Sequence, residues 1–458
     1  MNLQKLIQIH TSLGGEMDKK KLVIVGSGST YTIGMIMSLI EEKDNFPLKS
    51  IIFYDIDEKR QEKNAKATEV ILREHYPELQ EFKYTTNKEE AYKNIDFAFI
   101  QIRTGGLSMR INDERIPLSN NVVGQETCGP GGMAYGLRSI KDMIEIVYDI
   151  RKYSKNAWIL NYTNPAAIVA EALKREFPED KKLLNICDMP AAIMISYASI
   201  LGKEVWDLVP EYFGLNHFGW FSKIYDKDGN DHTEELKRKI LNEGFVPQDS
   251  EISEDPSWIK TFEQARKMLM DYPEYLPNTY LQYYLYPNTM VKKEDVDNVR
   301  AKQVINGREK RVIDLCNKII EDNTSKNVQL HSDVHGVYMV RAAASLAYNN
   351  GDIYIVMVKN DGIISNISEE AMVEVPAMLT KNGIKPFAIG KIPTFYKGLI
   401  ENQLSYEMLV VDAYFENNYN KLVQALALNR TVVDTDVAKT ILDQLIEANK
   451  GYWPKLNK

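Results

Sequence analysis

The sequence predicts an α/β protein, with a doubly wound, mainly parallel sheet in its N-terminal part joined to a mixed α+β domain. Two observations carry that reading. Apolar, β-branched runs alternate with segments of helical periodicity up to about Leu201, the pattern of strands linked by covering helices. Beyond that point the alternation fades, and long helical patterns mix with short strands such as "IYIVMVKN".

Taken in order, "KLVIVGSGST" reads as a strand and its glycine turn, and the stretch from Thr30 to about Glu42 as the helix that follows. "SIIFYDID", Ser50 to Asp57, is the next strand, followed by a charged helix to about His75; "IDFAFIQIR" is a further apolar strand. "VVGQETCGPGGMAYGLRSI" gathers glycines ahead of a long amphipathic helix reaching about Ser154. Such a loop either lets a ligand reach backbone or is only a mobile connection. "AWILNYTNPAAIVAEAL" and "LLNICDMPAAIMISYA" share one plan, a strand ending in polar residues before a proline-initiated helix. Both place Asn164 or its counterparts where α/β sheets present ligands. "YFGLNHFGWFSKIYDKDGNDH" reads as a hairpin turning at "DKDGN". The chain divides into an N-terminal extension, 1–20, a first domain, 21–205, and a second, 206–458, with a shared cleft between the two domains. Residues 1–16 have no expected role in the fold and are read as dispensable.

The first turn suits a dinucleotide, which makes the first domain Rossmann-like. Gly26 and Gly28 let backbone approach a pyrophosphate, and Ser29 and Thr30 open a helix whose amides and dipole favour an anion. Asp55 ends the next strand, where a carboxylate can hold the adenosine ribose hydroxyls. Tyr31 stands where the usual fingerprint has its third glycine, and a purely structural turn is the alternative.

Composition bounds the setting. The 458 residues are 44% hydrophobic and 26% charged, with 64 acidic against 56 basic side chains and a net charge of -8. A nucleic-acid surface is not indicated. Three scattered cysteines do not make a disulfide framework, which points to a reducing, cytoplasmic compartment. No signal peptide and no membrane span are expected.

Cys187 and Asp188 sit together in "LLNICDMPAA". A buried free cysteine is the ordinary reading. A redox role lacks a second thiol near in sequence, and a nucleophile would want a basic neighbour, whereas Asp188 raises the thiol's pKa. A metal site fits better, with the Cys187 thiolate, the imidazole of His217 and substrate oxygens as ligands. His217 also reads as a satisfied histidine among aromatic residues, and His335 in "HSDVHG" is a rival ligand.

The strings "GSGSTYT", "VVGQETCGPGGMAYGLRSI", "LNYTNPAAIV", "NICDMP", "GLNHFGW", "LPNTYLQYYL" and "MVEVP" occur in this order. Together they resemble glycoside hydrolase family four, the NAD- and manganese-dependent glycosidases, which depart from two-carboxylate hydrolysis. The resemblance covers nearly the whole chain from about Lys20. Within the family, "CDMP" is similar to the 6-phospho-α-glucosidase group, whereas 6-phospho-β-glucosidases resemble "CNxP" at this point. The resemblance implies a lactate/malate dehydrogenase-like architecture, NAD and a divalent metal, Mn2+, as cofactors, and homodimers or homotetramers. It implies Cys187 and His217 as metal ligands, Asp188 as general acid and Tyr280 as base, with Tyr283 and Tyr284 as neighbours of that tyrosine. Arg110 and Arg300 are implied as sugar-phosphate contacts, and Asn164 as the residue on the ring hydroxyls. The expected substrate is a phosphorylated disaccharide such as maltose 6-phosphate. The rival readings are a 6-phospho-β-glucosidase of the same family, an NAD-dependent 2-hydroxy acid dehydrogenase, and an NAD-sensing binding protein.

Overall fold

The computed structural model describes residues 17–244 and 256–457. The segment 1–16, expected to be dispensable, lies outside the described residues.

Strands β1 (Lys20–Val25), β2 (Leu48–Tyr54), β3 (Glu81–Thr85), β4 (Phe97–Ile100), β5 (Trp158–Asn161) and β6 (Leu183–Asn185) pair in parallel, in the order 6-5-4-1-2-3. This is the doubly wound order, reversing between β1 and β4, and it opens a crevice beyond the carboxyl ends of those strands. The unbroken apolar runs follow from cover on both faces. Leu22 and Ile24 enter one core with Ile51 and Phe53, while Val23 and Val25 enter another with Ile52 and Tyr54. The helix Glu58–His75 starts where the Asp57 side chain accepts from the Arg60 amide, and it ends with Arg73 and His75 against its carbonyl pole.

The second half does not keep to itself. Its strands β10 (Ile353–Lys359), β11 (Met372–Thr380) and β12 (Gly383–Pro386) extend the same sheet beyond β6, now antiparallel, giving nine strands. Its helices Lys310–Asp322 and Val334–Tyr348 supply Cys316, Ile319, Tyr338 and Met339 to the core under Leu22 and Ile24. Gly336 permits the closest approach, since a Cβ there would lie 3.0 Å from Met35 Cα of the helix Thr32–Glu41. The expected boundary near residue 205 therefore marks where the parallel alternation stops, and the cores on either side of it interleave.

The hairpin is present, but its turn is elsewhere than expected. β7 (Leu208–Leu215) pairs antiparallel with β8 (Phe218–Asp226), and Leu215 faces Phe218 across the two-residue turn Asn216 and His217. "DKDGN" does turn the chain, but as a second reversal at the end of β8, where Tyr225 bridges Asp231 antiparallel and Asp226 Oδ1 accepts from the amides of Asp228 and Asn230. β9 (Leu276–Pro277) completes this smaller three-stranded sheet. The correction matters because His217 adopts a left-handed φ of 60° at the tip of the turn, a conformation that costs a non-glycine residue about 1–3 kcal/mol.

Candidate active site

One cavity of about 540 Å³ opens at the carboxyl ends of the parallel strands, and it is lined by Gly26, Gly28, Ser29, Thr30, Asp55, Arg110, Asn164, Asp188, His217 and Tyr280. Segments far apart in sequence thus meet where the sheet order reverses.

The dinucleotide end is built tightly. Gly26 has φ 84°, and a Cβ there would sit 2.9 Å from the carbonyl oxygen of Gln101, so only glycine fits without strain. Asp55 Oδ2 accepts from the Gly28 amide at 2.8 Å and Oδ1 from the Asp57 amide at 3.0 Å. The carboxylate is held at the strand end with lone pairs left for ribose hydroxyls, and the turn fits a dinucleotide. Tyr31 explains the missing third glycine. Its ring stacks on His335 at 4.8 Å, the Arg308 guanidinium lies 4.3 Å from its centroid, and Arg308 Nη1 donates to its hydroxyl at 2.6 Å. His335 in turn places Nδ1 3.5 Å from Asp188 Oδ2.

At the other end stand two side chains able to bind a metal. Cys187 Sγ and His217 Nε2 lie 3.3 Å apart, close enough to share one ion at bonds of about 2.0–2.3 Å. The other ring nitrogen of His217 lies 3.2 Å from Thr127 Oγ1, which fixes the ring orientation. Burial lowers the His217 pKa to about 4, so the imidazole is neutral and available as a ligand. Burial, then Asp188 and Glu374, push the Cys187 thiol well above its ordinary value. A free thiolate nucleophile is thereby disfavoured, and a thiolate here would need a cation to stabilise it. All three cysteines are free. His335, the rival ligand, faces Asp188. Among the described residues no group of three or more His, Cys, Asp or Glu side chains is placed to hold an ion.

Around that pair stand the remaining candidates. Asp188 stands immediately before the helix Met189–Leu201, and its side chain makes no capping bond to it. Burial favours its neutral form, but His335 and His217 outweigh this and hold the carboxyl below its usual range. Tyr280 lies parallel to the His217 ring with centroids 3.8 Å apart. Burial, then Tyr283 and Glu126, push its hydroxyl well above the usual phenol value. Of the three neighbouring tyrosines, only Tyr280 lines the cavity. Asn164 lines it too, with Oδ1 accepting from the Ala166 amide at 3.3 Å.

The two implied phosphate contacts fare differently. Arg110 reaches the cavity but is already paired with Glu114 at 2.6 Å and Glu126 at 3.1 Å. Arg300 is exposed at the start of the helix Arg300–Val304 and is absent from the cavity lining, where Arg308 stands instead. Sequence reasoning missed Arg103, Glu126, Thr127 and Arg308. Glu126 bridges Arg103 at 2.6 Å and Arg110, and these cations outweigh burial to hold its pKa at about 2. Glu126 and Thr127 had a signal, as charged and hydroxyl groups inside the glycine-rich "GQETCGPGG".

If Cys187 is a ligand, Cys187→Ser should weaken Mn2+ binding by about 10–100-fold or more, with NAD affinity nearly unchanged because the glycine turn is untouched. Titration of free Mn2+ by electron paramagnetic resonance, beside fluorescence titration of NAD, checks both halves.

Comparison with known proteins identifies the family. Residues 21–203 match the Family 4 glycosyl hydrolases, and residues 212–432 match the Family 4 glycosyl hydrolase C-terminal domain. A phospho-α-glucosidase of Clostridium acetobutylicum is 49% identical over 445 residues, spanning 96% of this chain and all of that protein. A 6-phospho-α-glucosidase from gut microorganisms, solved in complex with NAD and Mn2+, superposes with a TM-score of 0.93 at 48% identity, over 96% of this chain and 100% of its own. A second such enzyme from gut microorganisms, in complex with NAD and glucose 6-phosphate, gives a TM-score of 0.92 at 42% identity with the same coverage. Two family matches that together span most of the chain, and a relative of nearly half-identical sequence along its full length, place the protein in family 4 of the glycosyl hydrolases.

Proposed function

We propose that this chain hydrolyses 6-phospho-α-glucosides such as maltose 6-phosphate to glucose 6-phosphate and the released sugar, using NAD and a divalent metal, Mn2+, as bound cofactors. The observation that carries the reading is the facing pair Cys187 Sγ and His217 Nε2, with His217, Asp188 and Tyr280 lining a cavity that also holds a dinucleotide turn. The relatives named above, all phospho-α-glucosidases, support the α reading over the 6-phospho-β-glucosidase alternative.

When bound, NAD would take hydride from C3 of the sugar and return it after cleavage, acidifying the C2 hydrogen in between. A metal ion would act as a Lewis acid toward the sugar hydroxyl oxygens. The protein's own groups do the rest. Tyr280 accepts the C2 proton, which its buried phenol can do only when cationic charge beside it offsets the cost of a buried phenolate. Asp188 gives a proton to the glycosidic oxygen as the leaving sugar departs. Asn164 holds ring hydroxyls, and Arg110 answers for the phosphate through a guanidinium whose orientation Glu114 and Glu126 already fix. Water then adds across the double bond left by elimination.

Among the described residues no helix is long and apolar enough to cross a membrane. We place the enzyme in the cytoplasm as a homodimer or homotetramer without nucleic-acid partners, in line with its acidic charge and free thiols.

The test is cleavage of maltose 6-phosphate with NAD, Mn2+ and a thiol reductant, omitting each in turn. Activity should vanish without metal and no net NADH should build up. Stoichiometric NADH release from a 2-hydroxy acid would instead identify a dehydrogenase.

A further inference from the structure

The carboxyl group of Glu374, on β11 in "MVEVP", is completely buried and lies outside the cavity lining. Burying a carboxyl costs free energy that an apolar side chain of that size would not, so its bonds are informative. Oε1 accepts from Asn216 Nδ2 at 2.9 Å, and Asn216 is the other residue of the two-residue turn that carries His217. Oε2 accepts from the Tyr212 hydroxyl at 2.9 Å. The same hydroxyl accepts from Asn278 Nδ2 at 3.2 Å, and Asn278 Oδ1 accepts from the Tyr280 amide at 3.0 Å. The Asn278 amide also donates to the Gly219 carbonyl at 2.9 Å, tying the Tyr280 segment back to the start of β8. Tyr212, Asn216 and Asn278 are themselves buried. Two arms therefore leave one carboxyl, one to the His217 turn and one, through Tyr212 and Asn278, to Tyr280.

We propose that Glu374 is a positioning residue that sets the His217 turn and the Tyr280 segment in register with each other, so that the metal ligand and the base are aligned by one buried anchor. This rests on the reading of His217 as a ligand and Tyr280 as the base. A hairpin turn with a left-handed histidine is strained and needs outside support, which the Asn216 bond supplies. Tyr280 precedes a helix of only five residues, Leu281–Leu285, and the Asn278 bond holds its backbone where the short helix alone would not.

The two arms make different predictions. Glu374→Gln keeps an acceptor for Asn216, so Mn2+ affinity, read by electron paramagnetic resonance on the protein with Mn2+ alone, should stay within about threefold, a shift no larger than one modest hydrogen bond. Glu374→Leu removes both arms. Its Mn2+ affinity should fall by about tenfold or more, and deuterium uptake at C2 of maltose 6-phosphate from heavy water should slow even at saturating Mn2+, with NAD affinity retained. Tyr212→Phe cuts only the second arm, and so should slow C2 exchange by about tenfold while Mn2+ affinity stays put. A Glu374→Leu protein that binds NAD and keeps wild-type Mn2+ affinity and C2 exchange overturns the proposal. Should that variant not fold, Tyr212→Phe decides, and equal effects on Mn2+ affinity and exchange, or none on either, overturn it. If Cys187→Ser leaves Mn2+ binding intact or Tyr280→Phe leaves C2 exchange intact, the underlying reading of the site falls. If those behave as expected and the Glu374 and Tyr212 variants are silent, only this inference does.

Discussion

Asp188→Asn is expected to lose most turnover of maltose 6-phosphate, by roughly the 10²–10⁴-fold typical of a general acid, while keeping much of its rate on p-nitrophenyl α-glucoside 6-phosphate. The sugar alkoxide of the natural substrate leaves poorly without a proton, whereas nitrophenolate leaves unaided. Hydride removal at C3 and deprotonation at C2 precede C1 to oxygen cleavage and should survive the change, so C2 exchange with solvent should continue. The surroundings add a condition. His335 and His217 hold the Asp188 carboxyl below its usual range despite burial, so the free protein keeps it ionised at neutral pH and it must gain its proton in the complex. His335 Nδ1 faces it from 3.5 Å. Metal content needs measuring in parallel, because Asp188 adjoins Cys187. Equal losses on both substrates with Mn2+ and NAD still bound would remove Asp188 as the leaving-group acid.

Tyr280→Phe should have an effect of similar size on a different step. The change deletes one oxygen and leaves the ring stacked on His217 at 3.8 Å, so packing and the metal pair should persist. Turnover should drop on both the disaccharide and the aryl substrate, since the C2 proton is lost before either leaving group departs, by about the 10²–10⁴-fold of a removed general base. Deuterium from heavy water should no longer enter C2 at an appreciable rate. Wild-type product that retains all its original C2 hydrogen would exclude the elimination route itself. The contrast between the two variants, one sensitive to leaving group and the other not, separates acid from base.

Much of this was legible in the sequence because each piece had a local signature. Parallel strands buried on both faces read as unbroken apolar runs, which located β1, β2, β4, β5 and β6, and the glycine turn with Asp55 followed from what backbone must do near a pyrophosphate. Cys187 and Asp188 were marked by ending such a run. What was missed had either a stronger decoy or no local signal. "DKDGN" has better turn chemistry than the Asn216 and His217 pair, which hides between "YFGL" and "FGWF". Pairing of β10 with β6 depends on contacts between distant segments that no window of sequence contains. Arg308 sits in the charged stretch "NGREKR", where only the tertiary fold tells which cation turns inward to Tyr31. Family resemblance chose Arg300 instead, and the fold leaves it outside the cavity lining.

The antiparallel extension of the main sheet has a consequence for how the chain reaches its native state. β6 is three residues long, and one of its edges is closed only when β10 arrives from far downstream. During synthesis the first six strands emerge well before their last neighbour and before the helices Lys310–Asp322 and Val334–Tyr348 that roof one face. The nascent sheet must therefore wait with an open edge and an uncovered apolar face, the state most prone to pairing with another chain. High separation between partners also slows folding. Asn185 lies at that seam, paired with Met357 of β10 and accepting at Oδ1 from Asn161 Nδ2 of β5 at 2.8 Å, and Cys187 follows two residues later, so the arrival of β10 also closes the strand end that carries the cysteine.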